Sequence, residues 1–418
     1  MSSSEFGSFA LALVLLIVTA QVLGLAFAKL RQPRVVGEIL AGILLGPNVL
    51  GHVLPGISAM VFSPGTTAVG VKYAAVMGFL YHLGLLLLMF ASGAETRGLF
   101  RREDRREVGW LGGVGTIMPF VIALALSPWL PRELMMGSAN QSLPLLLVVG
   151  IAFSVTSIPV ISRIFHDLGL SQTRFARLVL GVAVIEDILL WGVLAVATAL
   201  AASDVLPREK IAMHVGAALL FFALGLTALP RLLRWANQWR GNVLKRNAPV
   251  AYVAIVLLTY TAAAAALDVS LVFAAFLAGY ALISDPDVSQ ASEALNRVSF
   301  AVFIPIYFAV IGYQLDLSRS VPWTMAALFV VVASVVKLAS AGIGARLAGF
   351  RWAASINLAM ALNARGGPGI VLASVAFDAH IISAPFYTTL VLLAIVTSQM
   401  AGAWLDFVSR SERDLLGE

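Results

Sequence analysis

The sequence predicts an all-α polytopic membrane protein of about thirteen transmembrane helices, and three observations carry that prediction. First, 60% of the 418 residues are hydrophobic and only 12% are charged, with a mean hydropathy of +0.93. A water-soluble domain carries roughly a quarter charged residues, so this chain lacks the charge to coat a soluble surface. Second, the apolar residues fall in long runs such as Phe9 to Ala28. A run of ~20 residues crosses a ~30 Å hydrocarbon core, and only helices or closed barrels satisfy their backbones there. Third, the basic residues divide unequally between the two sides that those runs define.

Reading the runs against Gly, Pro and charge places helices at 6–28, 35–54, 73–94, 108–130, 143–165, 175–202, 210–233, 249–267, 269–284, 298–314, 322–348, 353–378 and 385–408, with the eighth and ninth split at Asp268. Lys29, Arg31 and Arg34 close the first helix, and Arg97 to Arg106 follow the third. Arg163 to Arg177 follow the fifth, and Arg231 to Arg246 the seventh. Arg297 precedes the tenth, Arg346 and Arg351 follow the eleventh, and Arg410 and Arg413 follow the last. All of these lie on one side, 21 of the 28 lysines and arginines, against five on the other, with Lys337 and Arg365 inside helices. By the positive-inside rule the basic side is cytoplasmic, which expects the N-terminus outside, the C-terminus inside and a place in the cell (inner) membrane. The basic residues are therefore topogenic and a nucleic-acid role is not expected. Met1 to Phe6 shows no basic n-region, so no cleavable signal is expected, and the short tail after the last helix predicts no cytosolic regulatory domain. With no cysteine there is neither a disulfide nor a thiolate metal site, and the five histidines form no pair at ligand spacing.

Thirteen helices divide as six, a linker and six, an arrangement that inverts one half relative to the other. The second helix (VVGEILAGILLGP) and the ninth (SLVFAAFLAGYAL) are both short and rich in small residues, and the fifth and twelfth are both interrupted near the middle. In the fifth, SVTSIPVISR places Ser154, Thr156 and Ser157 ahead of Pro159; in the twelfth, NARGGPGIV places Asn363, Arg365, Gly366, Gly367 and Pro368 at matching depth. Pro removes a backbone donor and disfavours helix before it. Irregular backbone at this depth is tolerated only where protein buries it or water reaches it, and paired breaks in two halves point to a transport site. Two ordinary proline kinks are the plainer alternative.

Ionisable residues inside the membrane are the sharpest signal, because each costs roughly 2.5–3.5 kcal/mol or more at mid-bilayer. Glu186 and Asp187 lie mid-way along the sixth helix, Lys337 along the eleventh and Arg365 in the twelfth. Adjacent residues leave a helix ~100° apart, so one reading turns Asp187 to an ion path and Glu186 to a neighbouring helix. A carboxylate for which a monovalent cation and a proton compete is the minimal chemistry of an antiporter. Asp187 is then the cation-holding residue, Lys337 neutralises a carboxylate when no cation is bound, and Arg365 quiets the negative half-helix ends. The alternative is a buried salt bridge without a transport role. Glu38 reads as an interface residue near a helix end, Asp316 and Asp378 as solvated outer ends, and Trp110, Trp129, Trp191 and Trp352 include interface anchors.

These residues resemble the monovalent cation:proton antiporter-2 family. PRVVGEILAGILLGP (Pro33 to Pro47) is similar to its second-helix signature, and VFIPIYFAVIGYQLDL (Val302 to Leu317) to its dimer-proximal helix. IEDILL, Lys337 and NARGGPGIV fall where its carboxylate pair, basic residue and second broken helix belong. The resemblance implies a sodium/proton antiporter fold working by elevator-like alternating access as a homodimer. Its core part spans approximately 108–202 and 322–408, and its dimerisation part 6–94 and 210–314. It implies that Asp187 binds the ion, that Thr156 is the polar residue of the first unwound segment, and that Ser157 lies beside it. Na+ or K+ and H+ are the expected substrates, with no cofactor. Where this chain has Glu186 the family usually has Asp in electrogenic members and Asn in electroneutral ones, which leaves the stoichiometry open. The absence of a nucleotide-binding tail sets the chain apart from ligand-gated potassium-efflux members. A proton-coupled exporter of an organic ion is the rival transport reading, and an intramembrane enzyme lacks any HExxH, GxSxG or paired catalytic aspartates.

Overall fold

The computed structural model describes all of the chain except residues 1, 31, 48, 57, 59–67, 97–103, 202–207, 240, 268, 283–285, 316–321, 411–414 and 417–418. The described residues are almost entirely helical, with one isolated β-bridge between Met136 and Ile382. The principal helices are α1 Ser3–Lys29, α2 Arg34–Leu45, α3 Ala68–Thr96, α4 Arg105–Ala125, α5 Ser142–Ser154, α6 Ile158–Asp167, α7 Arg174–Ala201 and α8 Arg208–Gln238. They continue as α9 Pro249–Ala266, α10 Leu271–Leu282, α11 Pro286–Val298, α12 Ile304–Gln314, α13 Trp323–Leu347, α14 Trp352–Leu362, α15 Gly366–Asp378 and α16 Ala384–Arg410. Eleven spans among the described residues are long and apolar enough to cross a bilayer, α14 and α15 form a twelfth bent by 42°, and the short apolar α10 takes the ninth expected place. Each expected run is met by one of these. Asp268 itself lies outside the described residues, although α9 ends at Ala266 and α10 begins at Leu271.

The differences from the sequence reading are local. The third helix starts earlier, at Ala68, and the seventh continues to Gln238 because Pro230 does not end it. The tenth is joined through a π turn, Ser299–Phe303, to a polar helix that begins at Pro286. Trp191 is buried against Phe273 rather than anchored at an interface, whereas Trp110, Trp129 and Trp352 are exposed. Glu38 is 7% exposed, buried within the bundle near the basic end of its helix. Asp316 lies outside the described residues, and Asp378 is exposed as expected.

Lipid acts as the outer solvent of this bundle. On α1, Leu11, Val14, Val18, Val22 and Leu25 form an exposed stripe at helical spacing while Phe9, Ala12, Leu16 and Ala20 turn inward. A helix that is apolar on every side belongs in a membrane. Helices there gain nothing from hiding Leu from lipid, so close backbone approach at small residues drives their association. Two such approaches stand out. A Cβ at Gly42 of α2 would overlap the Ala309 carbonyl of α12, and one at Gly312 of α12 would overlap the Ile39 carbonyl of α2. Likewise Gly93 of α3 meets the Phe276 carbonyl of α10, and Gly279 of α10 meets the Phe90 carbonyl of α3. Counted as spans, these are the second against the tenth and the ninth against the third. They are equivalent crossings in two halves of six offset by seven, as the paired-repeat reading requires.

The remaining helices gather round the two broken spans. α13 packs on α4, α14 and α16, and α5 lies between α4 and α7. A second apolar cluster, including Phe165, Phe175, Leu358 and Leu405, ties α6, α7, α14 and α16 together. Replacing Gly279 or Gly42 by Val should push its helix pair apart, because overfilling a packed contact costs about 1–3 kcal/mol even where side chains can yield, and here backbone blocks the space. We expect loss of monodisperse protein on size exclusion in detergent. Gly78→Val on α3, where an added Cβ meets nothing within 4 Å, should elute as wild type. Normal elution of the first two variants would contradict the crossing geometry.

Candidate functional site

Two breaks in the helical ladder create the centre of the molecule. α5 stops at Ser154, Val155 turns extended at ψ 140°, and α6 begins at Ile158. α14 stops at Leu362, and α15 begins at Gly366, whose φ of +36° favours a residue without a Cβ. A Cβ there would also clash with Val160 and approach Ser157 Oγ to 2.8 Å. The two breaks satisfy each other. Pro368 has no amide hydrogen to offer the Ala364 carbonyl, four residues back, and that carbonyl accepts Ser157 N–H at 2.6 Å. Gly366 N–H donates to Ser398 Oγ at 3.0 Å instead of closing a turn on Leu362, and the Leu362 carbonyl accepts Thr156 Oγ1 at 2.6 Å. Both unwound segments are therefore tied to each other and to Ser398 in a fully buried setting.

Arg365 closes the crossing. It is 1% exposed, and its Nε donates to the Ala152 carbonyl at 2.7 Å. Nη2 donates to the Phe153 carbonyl at 3.1 Å and to the Ala333 carbonyl at 2.9 Å, and Nη1 to Asn363 Oδ1 at 2.7 Å. Ala152 and Phe153 are in the last turn of α5, where carbonyls lack helical donors and the helix dipole is negative. A guanidinium that forks over them satisfies both needs at once.

The second centre lies on the other side of Ser154. Lys337 is fully buried on α13, and its Nζ sits 2.7 Å from Glu186 Oε1 on α7. It also donates to the Ser154 carbonyl and, at 3.1 Å, to the Gly115 carbonyl. Three acceptors complete the ammonium's three donors. Thr116 Oγ1 adds a hydrogen bond to the same Glu186 oxygen at 3.0 Å, and Ser154 Oγ donates to the Thr116 carbonyl at 3.0 Å. Gly115 and Thr116 lie in a π turn, Gly113–Ile117, of α4. Pro119 follows, and its missing amide is the one that would close a helical bond on Gly115. Asp187 is also fully buried on α7, one position on from Glu186, and so leaves the helix on a different side.

The structure thus brings Glu186, Lys337 and Ser154 into one network, and Thr156, Ser157, Asn363, Arg365 and Gly366 into another, with Ser154 and α5 common to both. Pro159 and Gly367 stand at the edge of the crossing, where both line a cavity on the basic side. The Ser157 hydroxyl is turned back to its own helix, accepting Val160 N–H at 3.3 Å. Sequence reading missed Thr116. The available signal was Pro119 four residues after Gly115, which marks a free carbonyl in the fourth helix in the way that Pro159 and Pro368 mark theirs. Among the described residues no group of three or more His, Asp or Glu could hold a metal ion. A monovalent cation here would be cargo.

A bundle with two broken spans crossing at mid-membrane, and an ion pair buried beside the crossing, is a multi-pass membrane transporter. The family profile described as sodium/hydrogen exchanger, transmembrane, matches residues 12–410, and the chain belongs to that family. It is 28% identical over 395 residues to the Na(+)/H(+) antiporter NhaS4 of Synechocystis sp., covering 92% of this chain and 93% of that one. It is 27% identical to the K(+)/H(+) antiporter 1 of Saccharomyces cerevisiae, covering 95% of this chain but 46% of the yeast protein. The structure of the sodium proton antiporter MjNhaP1 from Methanocaldococcus jannaschii shares its fold, with a TM-score of 0.66, 16% identity and 99% of each chain covered.

Breaking one side of a buried ion pair strands the other charge at a cost of roughly 3–5 kcal/mol, whereas removing both is often tolerated. Glu186→Gln and Lys337→Met should each lower thermal stability in detergent strongly, and the double variant should lose less than the sum of the two. Additive losses would mean that the pair is not coupled.

Proposed function

We propose that the chain exchanges a monovalent cation, Na+ or K+, for protons by alternating access, with both competing for the Asp187 carboxylate. The observation that carries this reading is the buried Glu186–Lys337 pair at 2.7 Å, placed next to Asp187 and touching the end of the first broken helix through Ser154. Glu186 and Asp187 are adjacent buried carboxylates beside the crossing, and a carboxylate on an ion path can hold either a cation or a proton. Membrane burial of such groups marks ion and proton pathways. Thr156, Ser157 and the unwound carbonyls supply hard oxygen ligands of the kind that alkali cations take, and Arg365 compensates the half-helix ends. The names of the two curated relatives, one a sodium and the other a potassium antiporter, support the substrate class and leave the choice between the ions to experiment.

In the same reading the core, approximately 108–202 and 322–408, carries the site and slides against a dimerisation part, 6–94 and 210–314, of a homodimer. The basic residues support a cell-membrane protein with its N-terminus outside and its C-terminus cytoplasmic.

The test is dequenching of a pH dye in proteoliposomes that carry an imposed proton gradient, on addition of NaCl, KCl or LiCl. The wild type should respond to at least one cation, and Asp187→Asn should abolish the response. No response to any of the three, with correctly inserted protein, would remove the antiport reading and favour an organic substrate.

A further inference from the structure

A second carboxylate lies outside the network just described. Glu38 on α2 is 7% exposed, and among the described residues no hydrogen bond or ion pair engages it. Its carboxylate packs along α1 where Gly24 leaves room, since a Cβ at Gly24 would stand 3.5 Å from Glu38 Cγ and 3.6 Å from Oε1. It lines a cavity of about 420 Å³ that Pro159 and Val160 of α6 and Gly367 of α15 also line. The lining also includes Leu88 of α3, Ser162 of α6, Ile304 and Phe308 of α12, and Arg34 and Arg163. Those two arginines are exposed and belong to the basic side of the chain, so the cavity opens there. One carboxylate that is more than nine-tenths buried thus shares a cavity large enough for a hydrated ion with the first turns of both half-helices that follow the breaks.

We propose that Glu38 is a second station for the transported cation, holding it in a partly hydrated state at the basic-side mouth before it passes to the crossing. This rests on the antiport reading above. A buried carboxylate is retained inside a membrane only where an ion, a proton or a partner satisfies it, and the described groups give it no hydrogen bond, only the charge of Arg34 nearby. The charged groups that face it are Arg34, one turn earlier on its own helix, and Arg163 on α6. α1, α3 and α12 contribute only Gly24, Leu88, Ile304 and Phe308. Arg34 acts on Glu38 from the exposed side and offsets part of its charge, while Glu38 attracts a cation from a drier wall where its field is less screened. In the division into core and dimerisation parts proposed above, α2 lies in one part and Pro159 and Gly367 in the other. Relative motion of the two would change the distance over which the cation is handed on.

The experiment is cation-dependent dye dequenching in proteoliposomes for wild type, Glu38→Gln, Glu38→Asp, Arg34→Gln and the Arg34→Gln/Glu38→Gln double variant. Glu38→Gln should raise the apparent KM for the cation by roughly five- to tenfold with the maximal rate within about twofold of wild type, and Glu38→Asp should recover part of the loss. Arg34→Gln should lower the KM in the wild-type background and leave it unchanged when Glu38 is already Gln. This coupling keeps the proposal open to test if Glu38→Gln alone is poorly produced. An unaltered KM in Glu38→Gln, or an Arg34→Gln effect that persists without Glu38, would overturn the station while leaving antiport standing. Absence of flux in the wild type would instead remove the reading on which it rests.

Discussion

The ammonium of Lys337 must be neutralised where no water reaches it, and the centre of the fold is arranged around that requirement. Its three protons go to a carboxylate on α7, a carbonyl in the π turn of α4 and the last carbonyl of α5. One side chain therefore links α13 to three other helices at the depth where a mismatch costs most. The pair that results is a poor source of stability for its own sake, since desolvating two charges offsets most of their attraction. Its value lies in fixing Glu186 in one arrangement, next to Asp187, the carboxylate proposed above to exchange cation and proton.

The backbone is treated by the same rule. Prolines 119 and 368 withhold the amides that would close helical bonds on Gly115 and Ala364, and a donor of the site reaches each of those carbonyls, Lys337 Nζ at Gly115 and Ser157 N–H at Ala364. The site's acceptors are thus made by removing helical donors rather than by adding polar side chains. Arg365 completes the scheme by forking over the α5 terminus and satisfying the Ala152 and Phe153 carbonyls.

Much of this was legible in the sequence because membrane burial makes rules strict. Length and hydropathy place the helices, the distribution of basic residues orders them, and a charge within an apolar run cannot be decorative. Glu186, Lys337 and the paired proline–glycine breaks follow from those constraints alone. What escaped the sequence depends on distance between elements. Thr116 looks like an ordinary small polar residue until α4, α5 and α7 are brought together, and Glu38 looks like an interface residue until α1 and α12 close over α2. The symmetry of the Gly42–Gly312 and Gly93–Gly279 crossings was likewise invisible, since glycine marks close approach only when the partner helix is known. Residue runs gave element type and burial, whereas partners between distant segments required the fold.

The central claim is competition of cation and proton for one carboxylate beside a neutralised pair. Its most direct test is proton release on cation binding, measured in detergent by titration calorimetry in two buffers of different ionisation enthalpy. The account predicts that each cation bound displaces protons from wild-type protein, with the release diminishing as pH rises and absent in Asp187→Asn. Cation binding that displaces no proton at any pH would contradict it.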